Sequence, residues 1–309
     1  MTSDIEVWRG TVNAWDCDQM GHMNVRFYVE RAMQGLGVIA LRLGMPDAFR
    51  PEAQATLRVR SHHVRFLREA RTGAALHMTA GVVDVTETEA TLALRLWHSR
   101  TNQVAAGFTA SVAHVTTAED RPFAWPERMR RALDALRVEA PAECGPRGLS
   151  VEAPSEPRGT RERAEALGLP IVGQGVFTAA DCDAHGRLRP DAVMGKASDA
   201  APHLFAAWRR YLESGNDPRD LGRAMMEGRL LYGTPPRVGD LYEIRSGIAS
   251  VDDRFEKRVD WFLDPVSGRA IAALEALVAT FDMDARKMVI LDEAVRADFR
   301  SEVVEGLAL

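Results

Sequence analysis

The sequence predicts an α+β protein built from two copies of one unit, each a curved antiparallel sheet wrapped around a long central helix. Three observations lead there. Asp16-Cys17-Asp18 recurs as Asp181-Cys182-Asp183, an offset of 165 residues (181 − 16) in a chain of 309, which is what a tandem duplication leaves. Each copy lies between a strand-like run and a helix-like run. Finally, Gln103-Val104-Ala105-Ala106 and Gly268-Arg269-Ala270-Ile271 stand at the same offset (268 − 103), so the repeat extends well beyond one motif.

The first unit reads in order. Glu6 to Ala14, with Val7, Trp8 and Val12, has the β-branched and aromatic character of a strand. From Asn24 to about Leu43 the spacing is helical and apolar on most sides, so this helix must be wrapped by other structure. Gly35 and Gly37 inside it are tolerable where another backbone approaches closely, and Gly44 followed by Pro46 ends it. Four strand-like runs follow at Ala55–Arg68, Ala74–Thr86, Ala90–His98 and Val104–Val115, the last two joined by a turn at Thr101-Asn102-Gln103.

Pro126 to Arg137 has the pattern of a short amphipathic helix. Glu139 to Thr160 is rich in Pro, Gly, Ser and Glu and lacks apolar periodicity. The expected boundaries are therefore an N-terminal domain over 1–138, a linker over 139–165, and a C-terminal domain over 166–309. In the second unit Val172–Ala180 restarts the strand and Pro190 opens the helix, which Pro202 should kink or break. Strands return at Arg223–Tyr232, Asp240–Ser250, Arg254–Leu263 and Arg269–Phe281, and a polar tail of helical spacing, Met288–Leu309, closes the chain.

Composition narrows the function. With 46% hydrophobic and 27% charged residues the chain is globular, and no apolar run reaches the roughly 18 residues a membrane span needs. The first ten residues lack the basic-then-apolar pattern of a signal peptide. A net charge of −5 argues against nucleic acid, whose binding needs a basic face. Cys17, Cys144 and Cys182 are too few and too scattered for a disulfide framework, which suits a reducing cytoplasm; Cys17 and Cys182 read as small buried residues at a turn. His62, His63 and His22 show no paired metal-ligand spacing, so no metal site is expected, and His77, His98, His114 and His203 read as packing or surface residues.

The acidic turn has a chemical use. Amides at a helix N-terminus are free donors at the positive end of the macrodipole and can hold a carbonyl oxygen that gains negative charge. A carboxylate beside them can act on water, so the pair suits hydrolysis of an activated acyl group. An acidic N-terminal cap is the plainer reading of any single Asp, and its repetition weakens that reading.

At these residues the chain resembles the hotdog-fold thioesterases, both the 4-hydroxybenzoyl-CoA thioesterase-like group and the acyl-ACP thioesterases. Asp16-Cys17-Asp18, Gly21-His22-Met23-Asn24 and Tyr28-Val29-Glu30-Arg31-Ala32 stand in the order of that family's motif without a gap. The resemblance implies hydrolysis of an acyl-CoA or acyl-ACP thioester, with Asp18 as general base or nucleophile and with His22 and Asn24 beside it. Backbone amides from Gly21 through Met23 to Asn24 would polarise the carbonyl. Met20 stands where the plant enzymes carry a functional Asn. In the second copy Asp183 keeps the acid, while His185, Arg187 and Arg189 answer Met20, His22 and Asn24, so one competent site and one altered copy are expected. The resemblance implies no cofactor beyond the coenzyme A of the substrate. It also implies that the two units pack side by side as a pseudo-dimer with the site at their seam, and such units can associate further.

Arg58, Arg60, Arg65, Arg68 and Arg71 are candidates for the phosphates of CoA, foremost Arg65 and Arg68, although alternate arginines on a strand face are usually simply solvated. Two other readings stay open. Hotdog enoyl-CoA hydratases carry Asp-x-x-x-x-His, whereas Asp18-x-x-x-His22 and Asp16-x-x-x-x-x-His22 are each one residue off. A non-catalytic acyl-CoA-binding protein is the third, and it would have no need of Asp18.

Overall fold

The computed structural model describes residues 4–152, 154–204, 206–213, 217 and 219–309. The first half runs β1 (Ile5–Thr11), α1 (Val25–Arg42), β2 (Ala55–Phe66), β3 (Ala75–Val85), β4 (Glu89–His98), β5 (Gln103–Thr116) and α2 (Glu127–Ala135). The second runs α3 (Arg161–Ala166), β6 (Ile171–Val176), α4 (Pro190–Leu204), α5 (Ala206–Glu213), β7 (Leu221–Tyr232), β8 (Leu241–Val251), β9 (Glu256–Leu263), β10 (Ala270–Asp282), β11 (Lys287–Met288) and α6 (Glu293–Arg300).

The strands form one continuous sheet in the order β1-β3-β4-β5-β2-β7-β10-β9-β8-β6, with β11 paired to β10. The second half of that order is the first reversed, as a pseudo-two-fold axis between β2 and β7 requires. The two strands are antiparallel, and His63 stands opposite Arg229 at the centre of their register. Either half alone would leave β2 or β7 as an open edge of unpaired amides; pairing them removes that edge.

α1 packs on α4 and against β1 and β3, while α4 packs on β6, β8 and β10. Asn24 caps α1 by accepting a hydrogen bond from the Arg26 amide (3.0 Å), and Gly44, at φ +79°, takes the left-handed conformation that ends it. Tyr28, Val29, Ala32, Leu36, Ile39 and Ala40 are buried, and each large one contributes about 1.5–3 kcal/mol by leaving water. Burial is one-sided, with Leu41 57% exposed, because α1 lies on the sheet and on α4 rather than inside a closed barrel.

The two helix glycines differ. A Cβ on Gly35 would stand 3.0 Å from Val7 Cγ2, so β1 needs the glycine there, whereas a Cβ on Gly37 would meet nothing. Gly37→Ala should therefore stabilise the protein by about 0.5–1 kcal/mol in urea unfolding, and Gly35→Ala should not.

Several expectations need amending. Pro202 lies inside α4, which is described as far as Leu204. α5 starts at Ala206, and residue 205 lies outside the described residues. The tail is only partly helical: Met288 belongs to β11 and the helix spans Glu293–Arg300. Nor is the tail uniformly polar, since Leu307 and Leu309 are buried with Trp261 and Leu169.

The stretch from Glu139 to Thr160, although irregular, is strapped over the β2–β7 seam. Arg65 donates to the carbonyls of Ala142 (2.8 Å) and Gly145 (3.3 Å), and Arg229 to those of Ser150 and Val151. Glu227 accepts from the amides of Arg147 (3.0 Å) and Gly148 (2.8 Å) and from His63 Nε2 (2.7 Å). Among the described residues no helix is long and apolar enough to cross a membrane.

Candidate active site

The two acidic turns are built alike. In the first, the Asp18 amide donates to the His22 carbonyl (2.9 Å) and Gly21 donates to the Asp18 carbonyl (2.9 Å). In the second, Asp183 donates to Arg187 (2.8 Å) and Gly186 to Asp183 (2.9 Å). Gly21 and Gly186 have φ of +72° and +71°, a conformation that favours glycine. Asp18 Oδ1 accepts from the amides of Met20 (2.9 Å) and His22 (3.4 Å), and Asp183 Oδ1 from those of His185 (2.9 Å) and Arg187 (3.0 Å).

The first acid of each motif is structural. Asp16 accepts from the Asn13 amide and pairs with Arg31 on α1 at 3.0 Å. Asp181 accepts from the Thr178 amide and pairs with Lys196 on α4 at 3.2 Å. Arg31 and Lys196 also stand 165 apart (196 − 31), so the pair that locks turn to helix is itself duplicated.

The second acids differ in their free oxygen. Among the described residues no side chain pairs with Asp18 Oδ2. Asp183 Oδ2 lies 3.3 Å from Arg58 Nη1. Around Asp18, His22 Nε2 lies 3.0 Å from Glu69 and 2.9 Å from Arg286 Nη1. Burial lowers the His22 pKa, with Arg286 and Arg71 pushing the same way and Glu69 opposing, so the imidazole favours its neutral form. Asn24 uses its carbonyl to cap α1 and its amide to donate across the seam to Ser198 Oγ (3.0 Å). Met23 is buried, and its amide donates to the Ala70 carbonyl (2.7 Å). Met20 and Met283 both crowd Gly222 of β7, bringing the second half against the first turn.

A cavity of about 350 Å³ opens at the other end of the seam. Met33 and Gly37 of α1, Leu57 and Arg58 of β2, and Asp183 and Val193 of the second copy are among its walls. Asp18, His22 and Asn24 are not. The structure brings Asp18 and His22 together at one turn and sets Asp183 beside the cavity at the other; the amides of Gly21, His22, Met23 and Asn24, expected to polarise a carbonyl, instead donate to the Asp18 carbonyl, Asp18 Oδ1, and the Ala70 and Asp16 carbonyls.

Arg65 and Arg68 are occupied by backbone carbonyls, Arg65 by the linker and Arg68 by Val104 (3.2 Å). Arg58 is not a solvated strand residue but 8% exposed, bonded through Nε to Asp120 (2.9 Å). Sequence reasoning did not single out Glu69, Arg286 or Asp120; each lies far along the chain from its partner, and only the 165-residue offset of Arg31 and Lys196 was readable in advance. Among the described residues no group of three or more His, Cys, Asp or Glu gathers as metal ligands would.

Residues 12–133, which contain the whole first turn, match the thioesterase-like superfamily. The whole chain has a double-hotdog fold. Its sheet and helices superpose on a 12:0-ACP thioesterase from Umbellularia californica with a TM-score of 0.62 at 8% identity, covering 90% of this chain and 94% of that one. An acyl-ACP thioesterase from Bacteroides thetaiotaomicron gives 0.62 at 10%, covering 88% and 96%. A candidate oleoyl thioesterase from Lactobacillus plantarum gives 0.66 at 11%, covering 90% and 96%. At such identities the likeness is one of fold. No curated protein matches the chain in sequence. The double hotdog accounts for the mirrored strand order and for both helices lying at one seam.

Proposed function

We propose that the protein hydrolyses an acyl thioester, carried on CoA or on an acyl carrier protein, with Asp18 as the general base or nucleophile. The observation that carries this reading is the state of Asp18. Its Oδ1 is fixed by two turn amides, its Oδ2 has no side-chain partner among the described residues, and α1 begins seven residues on with its positive end toward the turn. The superfamily match over 12–133 supports the same chemistry. A buried, neutral-leaning His22 beside it can exchange a proton with water or the departing thiolate.

A second reading is favoured by the cavity, which adjoins Asp183 instead. There the chemistry would fall to Asp183, with Arg58 facing the developing oxyanion. The acyl-ACP, oleoyl and 12:0-ACP names of the structural relatives support fatty acyl substrates without choosing the chain length.

The test is free-thiol release from a panel of aromatic, short and medium-chain acyl-CoAs and one acyl-ACP. Release from at least one substrate is expected. Hydration of crotonyl-CoA with no thiol release from any substrate would replace hydrolysis by the hydratase reading, and acyl-CoA binding without turnover would leave a binding protein.

A further inference from the structure

His22 Nε2 has two partners that make opposite demands on it. Arg286 Nη1 lies 2.9 Å away and Glu69 Oε2 3.0 Å. A guanidinium only donates, so the first contact needs a lone pair on Nε2, and a neutral ring then carries its proton on Nδ1. A carboxylate only accepts, so the second needs a proton on Nε2. One neutral imidazole meets one demand at a time. Among the described residues Nδ1 has no partner, yet it is not sealed from solvent, so the choice made at Nε2 decides what His22 offers at Nδ1.

Arg286 comes from the other half of the chain. It lies in the turn between β10 and β11, with φ of +55° and its amide donating to the Asp282 carbonyl (2.9 Å). The matching turn after β5 holds Asp120, at φ +56° with its amide on the Thr116 carbonyl (3.0 Å). The offset is 166 residues (286 − 120), the same that relates Arg71, bridged to His22, to Arg237, bridged to Arg187 (237 − 71). The backbone of the turn is thus inherited from the duplication, but its side chain is not. At the second end Asp120 bonds Arg58 and Arg60, and Pro235 stands where the first end has Glu69. An arginine and a glutamate sharing one imidazole belong to the Asp18 end alone.

We propose that Arg286 and Glu69 are positioning residues for His22: Arg286 holds the neutral ring with its proton on Nδ1, as a hydrogen-bond donor to the thioester carbonyl, and Glu69 anchors Arg286. The proposal rests on the reading of Asp18 and His22 as the hydrolytic site. That site lacks an obvious donor for the carbonyl, because the amides of Gly21, His22, Met23 and Asn24 are all engaged within the fold. An outward Nδ1–H supplies one without any proton leaving the ring. Arg286 Nη1 lies 3.3 Å from both oxygens of Glu69, so the carboxylate stays paired while Arg286 donates to Nε2. Once the ring is protonated, Nε2–H turns to Glu69 instead. The second half, whose own turn has lost the histidine, thereby completes the first.

Nitrogen NMR of the imidazoles in the substrate-free full chain reads the ring directly, since protonated and bare ring nitrogens resonate far apart. The His22 signals are those that His22→Gln removes. The neutral wild-type ring should carry its proton on Nδ1. Arg286→Met should move it to Nε2, facing Glu69, whereas Arg286→Lys, still a donor, should keep it on Nδ1. Loss of the Arg286 cation favours the charged ring, so Arg286→Met should also raise the pH at which His22 takes its second proton. Glu69→Gln should lower that pH, with Arg71 and Asp18, the other charged groups facing the ring, unchanged in both. In thiol release Arg286→Met should lower kcat at least about tenfold with KM within a few-fold, and Arg286→Lys should recover most of it. A proton on Nε2 in the wild type, or one left on Nδ1 by Arg286→Met, would overturn the proposal whatever the activity. If the ring behaves as described and no substrate releases thiol, the placement of the proton stands and the hydrolase reading fails.

Discussion

Asp18→Asn is expected to lower kcat for thiol release by about a hundredfold or more, the usual worth of a general base or nucleophile, while Asp183→Asn leaves it within a few-fold. Asparagine keeps the side-chain oxygen that accepts from the Met20 and His22 amides, so the turn should hold its shape and the loss should report chemistry. The same substitution at Asp183 removes the charge facing Arg58 and keeps the bonds to His185 and Arg187. Comparing the two by steady-state thiol release, with circular dichroism to show that both fold, makes the result readable. A reversed pattern, with Asp183→Asn inactive and Asp18→Asn active, would move the reaction to the cavity end of the seam and make Arg58 its carbonyl-polarising group.

Glu227→Gln is expected to cost about 3 kcal/mol of stability at pH 7. Burial alone would raise the Glu227 pKa, but the hydrogen bonds from His63, Arg147 and Gly148 outweigh it and hold the carboxyl at about 2. A folded pKa below the unfolded value of 4.5 means that the carboxylate contributes stability fully above about pH 4.5 and loses it as the pH falls toward 2. Urea unfolding across that range should therefore show wild type and Glu227→Gln far apart at neutral pH and converging in acid. A constant gap between them from pH 7 to pH 2 would show that the linker amides and His63 do not hold the charge.

Periodicity carried most of the fold. The alternation in β2 to β5 and β7 to β10 and the helical spacing of α1 and α4 are strong over ten or more residues, and the observed ends fall within a few residues of those expected. α3, of six residues, and β11, of two, are too short to leave a pattern. The turns were legible because Asp, Cys and Gly recur at fixed spacing. What could not be read was which strand faces would be covered. Arg58 reads as a solvated strand residue and is instead buried against Asp120 and Asp183, while His62 and His63 are buried because Tyr232 and Glu227 of β7 and the linker cover that edge. The partners of His22 were equally hidden: Glu69 is 47 residues away and Arg286 264, and only the fold brings them to one imidazole.

Covalent fusion gives the mirrored seam a freedom that two identical subunits lack. In a symmetric dimer every substitution in a turn is made twice, so an arginine that suits one end is forced on the other. Here His22 and Arg187 occupy matching places and have opposite fates, one an imidazole shared between Glu69 and Arg286, the other a buried cation bonded to two carbonyls. Each end can therefore specialise without damaging its twin, and a lesion at one end need not be inherited by the other.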